Sequence, residues 1–132
     1  MLPPKGGSKN LSDNMALTEY LPVYKDTYKL IQMVFAFTKD FPREYKYSLG
    51  QDMKHDAIRL VRSIYRANRS ESKKEWLEDF LDDFEVLKLE LRLCVDLQLL
   101  TLRRQSEISP LLESIGRQVT AWKNAGTRRP KE

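Results

Sequence analysis

Apolar residues recur every three or four positions through most of this chain, which is the period of an amphipathic α-helix. Four segments carry such a stripe, and short polar turns separate them. The pattern predicts helices over residues 22–39, from 44 or 48 to 67, over 73–102 and over 108–124. Four helices with short connections favour an all-α fold, an antiparallel up-down-up-down four-helix bundle.

The third predicted helix is apolar on two sides. Its first seam consists of Leu77, Phe80, Phe84, Leu87, Leu91 and Cys94. Its second seam consists of Val86, Leu89, Leu93, Leu97 and Leu100. At about 100° per residue the two seams point in roughly opposite directions. A helix at the surface of a small monomer needs only one apolar side. We therefore expect the first seam to face the bundle core and the second to form the contact between subunits of a homo-oligomer.

The two ends of the chain lack this periodicity. Proline and glycine residues interrupt any regular pattern in residues 1–18, so we predict a flexible N-terminal arm there. Gly126 is expected to end the last helix, which leaves residues 126–132 as a basic C-terminal tail. The predicted bundle therefore covers residues 19–125.

Charge is unevenly distributed along the chain, although the net charge is only +4. Residues 1–70 carry a net charge of +5, residues 71–102 carry −5 and residues 103–132 carry +4. Basic segments of this kind favour nucleic acid or an acidic partner. No apolar run is long enough to cross a membrane, and no secretory signal precedes the first helix. We therefore expect a cytoplasmic protein with no membrane partner.

Few residues are available for catalysis or for binding a metal. His55 is the single histidine and Cys94 the single cysteine, which leaves no triad and no zinc spacing. The acidic run from Glu75 to Glu85 lacks the Glu-x-x-His pair of a di-iron bundle, so it is interpreted as a solvated face or a docking strip for a basic neighbour. We predict no enzymatic activity, no catalytic residue, no metal, no cofactor and no small-molecule substrate. Cys94 lies on the first seam and is expected to be buried as a small hydrophobic residue.

Arginines recur at helical spacing on the polar side of the second predicted helix. We call Arg59, Arg62, Arg66 and Arg69 the arginine stripe. Each guanidinium can bind phosphate through two hydrogen bonds, so a line of them favours contact with a nucleic-acid backbone or an acidic partner. The alternative is a solvated face that pairs with the acidic start of the third helix.

A second basic group lies near the C-terminus. Its members are Arg103, Arg104, Arg117, Lys123, Arg128, Arg129 and Lys131. Two interpretations remain open at this point, namely contact with RNA or a polymerase and simple solubility.

Six tyrosines are candidates for stacking on nucleic-acid bases: Tyr20, Tyr24, Tyr28, Tyr45, Tyr47 and Tyr65. The sequence contains no sheet platform and no aromatic pair of the usual RNA-binding modules. Core and interface packing is therefore the favoured interpretation for the tyrosines. Trp76 and Trp122 are interpreted in the same way, as packing anchors.

Several short strings resemble a known bacterial family in their order and spacing. They are FPREY at 41–45, YSLG at 47–50, IYRAN at 64–68, IGRQ at 115–118 and WKN at 122–124. Together they resemble the four-helix-bundle family that includes the 23S rRNA intervening-sequence proteins. That branch carries an ANIAEG-like string where this chain has RANRSE at 66–71. The departure favours the Avd type, the accessory variability determinant of diversity-generating retroelements, over residues 20–124.

The resemblance implies a pentameric barrel of four-helix bundles. It also implies a noncatalytic protein that binds a reverse transcriptase and template RNA, with cDNA as a further candidate ligand, and so supports mutagenic cDNA synthesis. Family members use basic surface residues for these contacts, so the resemblance assigns that role to the basic positions above as a class. The alternatives are a protein of the intervening-sequence type and a scaffold with protein partners only.

Overall fold

A computed structural model describes residues 18–127, and it describes side chains as far as residue 125. A 3₁₀ turn at Thr18–Tyr20 precedes five helices in this range. They are α1 (Pro22–Thr38), the single-turn α2 (Arg43–Lys46), α3 (Leu49–Arg69), α4 (Lys74–Asp96) and α5 (Leu102–Thr127). The described range contains no β-strand, so the prediction of an all-helical bundle is confirmed. The last helix runs past Gly126 to Thr127, so the prediction that Gly126 ends it is wrong. The predictions for residues 1–17 and 128–132 lie outside the described residues.

The four long helices pack around one hydrophobic core. α3 packs against α1 and α4, and α5 packs against α4 and α1. Each helix contributes fully buried side chains to the core, including Leu30, Leu60, Phe80 and Ile115. Burial of one such side chain is worth about 1.5–3 kcal/mol, so the apolar stripes supply most of the driving force for folding.

The turn between α1 and α3 depends on close packing at Gly50. Pro42 precedes the single turn of α2, and the Ser48 hydroxyl donates a hydrogen bond to the carbonyl of Glu44 at 2.7 Å. A Cβ atom added at Gly50 would lie only 3.3 Å from the carbonyl oxygen of Tyr45. Glycine therefore allows the first turn of α3 to pack directly on α2.

α4 ends at Asp96, six residues earlier than predicted. Gln98 has a φ of 64°, and its amide donates to the carbonyl of Val95 at 3.0 Å. The next amide, of Leu99, donates to the carbonyl of Cys94 at 2.7 Å. These two hydrogen bonds form a Schellman motif, which terminates the helix and reverses the chain. The motif has a glutamine where glycine is usual, so no residue pattern predicts it.

α5 begins at Leu102, six residues earlier than predicted. The Thr101 hydroxyl accepts a hydrogen bond from the amide of Arg104 at 3.1 Å and so caps the helix. Pro110 consequently lies inside the helix and not in its first turn. The earlier start means that Arg103 and Arg104 belong to the first turn of α5.

The two seams of α4 have different environments. All six residues of the first seam are buried, as predicted, and Cys94 is among them. Val86, Leu89, Leu93 and Leu97 of the second seam are exposed. Leu100 differs from the rest of its seam, because it lies beyond the end of α4 and is only 5% exposed within the subunit. Leu100 therefore lies outside the exposed part of the seam, and its place in an oligomer contact stays a prediction.

Replacement of Gln98 by glycine should stabilise the protein. A non-glycine residue in the left-handed region costs roughly 1–2 kcal/mol, and glycine removes most of that cost. We expect Gln98→Gly to raise the free energy of unfolding by about 0.5–1 kcal/mol in a urea titration. The matched control is Gln32→Gly on the exposed side of α1, which should lower it by about 1 kcal/mol. If Gln98→Gly lowered the free energy of unfolding as much as Gln32→Gly does, the Schellman assignment would be contradicted.

Candidate nucleic-acid interface

The arginine stripe occupies the exposed side of α3. Burial of the opposite side, which includes Met53, Ala57, Leu60 and Ile64, fixes the rotation of the helix about its axis. Because the four arginines are three or four residues apart, they then share the solvent side, and all four are exposed. From Arg59 to Arg69 the stripe is about 15 Å long. The structure thus presents a line of cations along one helix.

Neighbouring carboxylates neutralise little of this charge. Among the described side chains, the ion pairs are Lys88–Glu85 at 2.8 Å, Arg103–Glu107 at 3.8 Å and Lys123–Glu78 at 3.9 Å. None of these pairs includes a stripe arginine. Arg59 does lie near Asp83, where burial raises the pKa of the carboxyl and the arginine charge lowers it. Pairing with the acidic start of α4 therefore applies at most to the first member of the stripe.

The C-terminal half of the stripe lies beside an aromatic ring of α4. The guanidinium of Arg66 lies over the Trp76 ring, 4.8 Å from its centroid. Arg66, Arg69, Ser70 and Trp76 line a shallow hollow of about 310 Å³. A guanidinium attracted to the face of an indole ring can still donate hydrogen bonds to an anion. This geometry suits an anionic ligand at the junction of α3 and α4.

A second hollow, of about 420 Å³, lies along the stripe itself. Its cationic members are Arg62, Arg66 and Arg69, and its remaining members are Ile58, Val61 and Tyr65. The hollow therefore combines an aliphatic surface, one aromatic ring and three positive charges. Sequence reasoning found the arginines but did not place an aromatic residue between them.

The tyrosines fall into two groups, and the part of the prediction that concerns packing at an interface stays a prediction. Tyr24, Tyr45 and Tyr65 are half-buried, which agrees with packing. Tyr20, Tyr28 and Tyr47 are exposed large side chains, so packing within the described part of the subunit does not account for them. Trp76 and Trp122 are half-buried and pack against the core, as the anchor interpretation predicted.

The second basic group, near the C-terminus, does not form one surface with the arginine stripe. Arg103 and Arg104 border a hollow beside Met33 and Phe37, near the end of α1. Arg69, by contrast, follows Asn68, whose amide donates a hydrogen bond to Thr18 just before α1 begins. α1 is about 26 Å long, so these two sets of arginines lie well apart. Arg128 and Arg129 lie outside the described residues.

Arg117 and Lys123 face acidic neighbours on the outer part of α5. Arg117 lines a groove of about 810 Å³ between α4 and α5, where Glu85 pairs with Lys88 and Glu113 adds a second carboxylate. Lys123 lies 3.9 Å from Glu78, as noted above. The nearby carboxylates reduce the local positive potential, so this surface is less suited to phosphate than the stripe is.

The remaining second seam forms an exposed apolar face on α4. We define the α4 face as Val86, Leu89, Leu93 and Leu97, of which Leu89 is the most exposed at 65%. The residues are three or four positions apart and so lie on one side of the helix. A contiguous apolar face of this kind is typical of a protein–protein contact. Within residues 18–125 no other element covers it.

A half-buried acid, Glu90, lies next to the α4 face. One carboxylate oxygen of Glu90 is buried and has no hydrogen-bond partner among the described residues. Burial, a hydrogen bond to Asp56 and the charges of Asp56 and Asp52 raise the pKa of Glu90 to about 8. The same environment raises the pKa of Cys94 to about 12, chiefly through burial. Asp56 and Glu90 belong to different helices, so no local sequence signal could reveal the pair.

Two further properties concern the whole described range. It contains no group of three or more histidine, cysteine, aspartate or glutamate side chains arranged to hold a metal ion. None of its helices is both long enough and apolar enough to cross a membrane.

Glu90 should make stability depend on pH. Its folded pKa of about 8 exceeds the ordinary value, so the folded state holds a proton that the unfolded state releases above about pH 4.5. Stability is then greatest below that pH and falls as the pH rises through about 8. Glu90→Gln removes this loss and should raise the free energy of unfolding at pH 8.5 by on the order of 1 kcal/mol, with little change at pH 4. The control Glu71→Gln, in the exposed turn before α4, should change neither value. An equal pH dependence in wild type and Glu90→Gln would contradict the assignment.

Comparison with known proteins identifies the family. The search of curated proteins and the search of solved structures returned no match to this chain. The sequence model of the bAvd-like family matches residues 22–125, from the start of α1 to near the end of α5. The match agrees with the resemblance to Avd proteins of diversity-generating retroelements, which was found from the short strings. It covers far more than half of the sequence, and the chain therefore belongs to the bAvd-like family.

Proposed function

We propose that this protein is a noncatalytic accessory factor of a diversity-generating retroelement that binds the reverse transcriptase and the template RNA during mutagenic cDNA synthesis. Family membership supports an accessory role of the Avd type. The observation that carries the RNA-binding part is the arginine stripe, because Arg62, Arg66 and Arg69 form no salt bridge within the described residues.

Phosphate is the chemical group that fits the stripe. Arginine binds phosphate through a planar pair of donors, and the stripe repeats this group along about 15 Å of helix. Three unneutralised arginines on one helix face repel one another, which lowers the stability of the folded protein. Binding of a polyanion offsets that repulsion. RNA and its cDNA copy present the same backbone charge, so both are ligands in this proposal.

Contacts between the helices support an antiparallel bundle, in which the arginine stripe has a defined orientation. Tyr24 of α1 contacts Tyr65 of α3, while Phe35, later in α1, contacts Lys54, earlier in α3. Glu78 and Lys123 pair near the start of α4 and the end of α5. These opposed orders support an antiparallel up-down-up-down arrangement of the four long helices.

Self-assembly is the second part of the proposal. The α4 face is apolar and uncovered, and a second copy of the chain is its proposed occupant. The family resemblance supplies the number five, which gives a pentameric barrel. Five stripes on one assembly would raise the effective affinity for a long RNA well above that of a single subunit.

Arg103 and Arg104 are proposed to contact the reverse transcriptase or the RNA, with Arg117, Lys123, Arg128 and Arg129 as further basic positions. Cations in the first turn of a helix oppose the helix dipole, at a cost of about 0.3–1 kcal/mol each. At Arg103 this cost is partly offset by Glu107, whose carboxylate oxygen lies 3.8 Å from the Nε atom of the arginine. Two cations at positions that do not stabilise the helix support a role in binding an acidic partner.

Two alternatives differ in their partners. A scaffold that binds only proteins would use the α4 face and leave the stripe solvated. A protein of the rRNA intervening-sequence type would share the fold but act outside a retroelement. A reverse-transcriptase gene and a pair of near-identical repeats next to this gene would favour the retroelement role over both.

Reversal of charge on the stripe should abolish most RNA binding. We expect Arg62→Glu/Arg66→Glu to lower RNA affinity at least about tenfold at ~150 mM salt in a gel-shift titration, and to reduce the salt dependence by about two ion equivalents. The control Lys39→Glu/Arg43→Glu makes the same change of charge at exposed positions near α2. It should lower the affinity by less than about threefold through overall charge alone. Equal binding by wild type and the stripe variant would reject the stripe as an RNA-binding site.

Charge on the α4 face should separate the subunits. Leu93→Glu places a carboxylate in the proposed apolar contact, so light scattering should report a monomer while circular dichroism shows unchanged helix content. The matched control is Leu102→Glu, because Leu102 is 72% exposed and lies outside the α4 face. That control should retain the mass of the wild-type oligomer. An oligomer of unchanged mass for Leu93→Glu would show that another surface holds the subunits together.

A further inference from the structure

Three tyrosine rings form a continuous cluster beside the arginine stripe. The rings of Tyr24 and Tyr28 are parallel to within 4°, with centroids 6.4 Å apart. Tyr24 also meets Tyr65 edge-on, at 5.9 Å and 72°. We call these three residues the tyrosine cluster. It joins the surface of α1 to the hollow that the stripe forms on α3, because Tyr65 belongs to both.

The inner part of the cluster is held in place. Tyr24 and Tyr65 are half-buried, and a hydrogen bond to Tyr65, together with burial, raises the pKa of Tyr24. Tyr28 stacks on this fixed pair but is 52% exposed. One end of the cluster is therefore packed against the protein, and the other end presents an aromatic ring to solvent.

The surroundings of the cluster combine two kinds of contact. Ile58, Val61 and Tyr65 form the apolar part of the neighbouring hollow, and Arg62 and Arg69 supply positive charge to it. Neither of these arginines forms an ion pair with any described side chain. A ligand that matches this surface has flat unsaturated rings and regularly spaced negative charges.

Unpaired nucleotides offer both a free base face and phosphate charges, whereas nucleotides in a duplex expose only their phosphate charges. Stacking of a base on an aromatic side chain is worth about 1–3 kcal/mol and requires a free face of the base. In a duplex the base faces are covered by neighbouring bases, so an exposed tyrosine adds nothing to binding. An acidic peptide would use the arginines but would gain little from a stacked ring.

We propose that the tyrosine cluster, Arg62 and Arg69 together form a binding site for unpaired nucleotides. A base stacks on the exposed ring of Tyr28, and the adjoining phosphates bind the two arginines along α3. This inference rests on the proposed RNA-binding function and adds to it a preference for single-stranded segments of the template RNA or of its cDNA.

The experiment compares single-stranded and duplex ligands on the full chain. The probe is a short oligouridylate with one 2-aminopurine, used alone and annealed to its complement. Tyr28→Leu removes the ring, so we expect about a tenfold loss of affinity for the single strand, no change for the duplex and loss of the fluorescence quenching that stacking produces. Tyr28→Phe keeps the ring and should behave as wild type. Tyr47→Leu removes an exposed tyrosine outside the cluster and should also have no effect.

Two results would overturn the inference. One is wild-type affinity of Tyr28→Leu for the single strand, and the other is an equal loss for single strand and duplex. The Arg62→Glu/Arg66→Glu variant separates this failure from failure of the proposed function. If that variant loses both ligands while Tyr28→Leu loses neither, the arginine stripe binds RNA and only the stacking site is rejected. If the arginine variant also binds both ligands normally, RNA binding by this surface is rejected as well.

Discussion

Burial of the apolar side of α3 is the constraint on which the proposed binding surface depends. Met53, Ala57, Leu60 and Ile64 lie in the core, so α3 cannot rotate without exposing them. The arginine stripe is therefore held outward as a rigid line of cations. The same burial brings Tyr65 against Tyr24 of α1. Core packing thus positions both the arginine stripe and the tyrosine rings, because all of these residues lie on helices.

The position at which α4 ends determines which of its apolar residues stay exposed. A Schellman motif at Gln98 stops the helix at Asp96, and the chain then returns Leu100 to the core. The exposed α4 face is consequently limited to the span from Val86 to Leu97. Glu90, whose pKa is raised to about 8 chiefly by burial, lies beside this face and so flanks the proposed subunit contact.

The sequence was most informative where side-chain periodicity alone decides structure. The buried seam of α4 and the outward direction of the arginine stripe follow from helical spacing and were predicted. The end of α4 and the start of α5 were not, because Gln98 adopts a conformation typical of glycine and Pro110 is tolerated inside a helix. The tyrosine cluster and the Asp56–Glu90 pair join residues of different helices. Such neighbours depend on tertiary packing, which one sequence does not specify.

Ultraviolet cross-linking of the full protein to the proposed template RNA, followed by mass spectrometry of the linked peptides, would show whether α3 and the adjoining side of α1 form the RNA-binding surface. We expect cross-links on peptides that contain Tyr28 and Tyr65, and their loss when Arg62 and Arg66 are changed to glutamate. Cross-links confined to peptides of α5, or unaffected by the arginine changes, would contradict it.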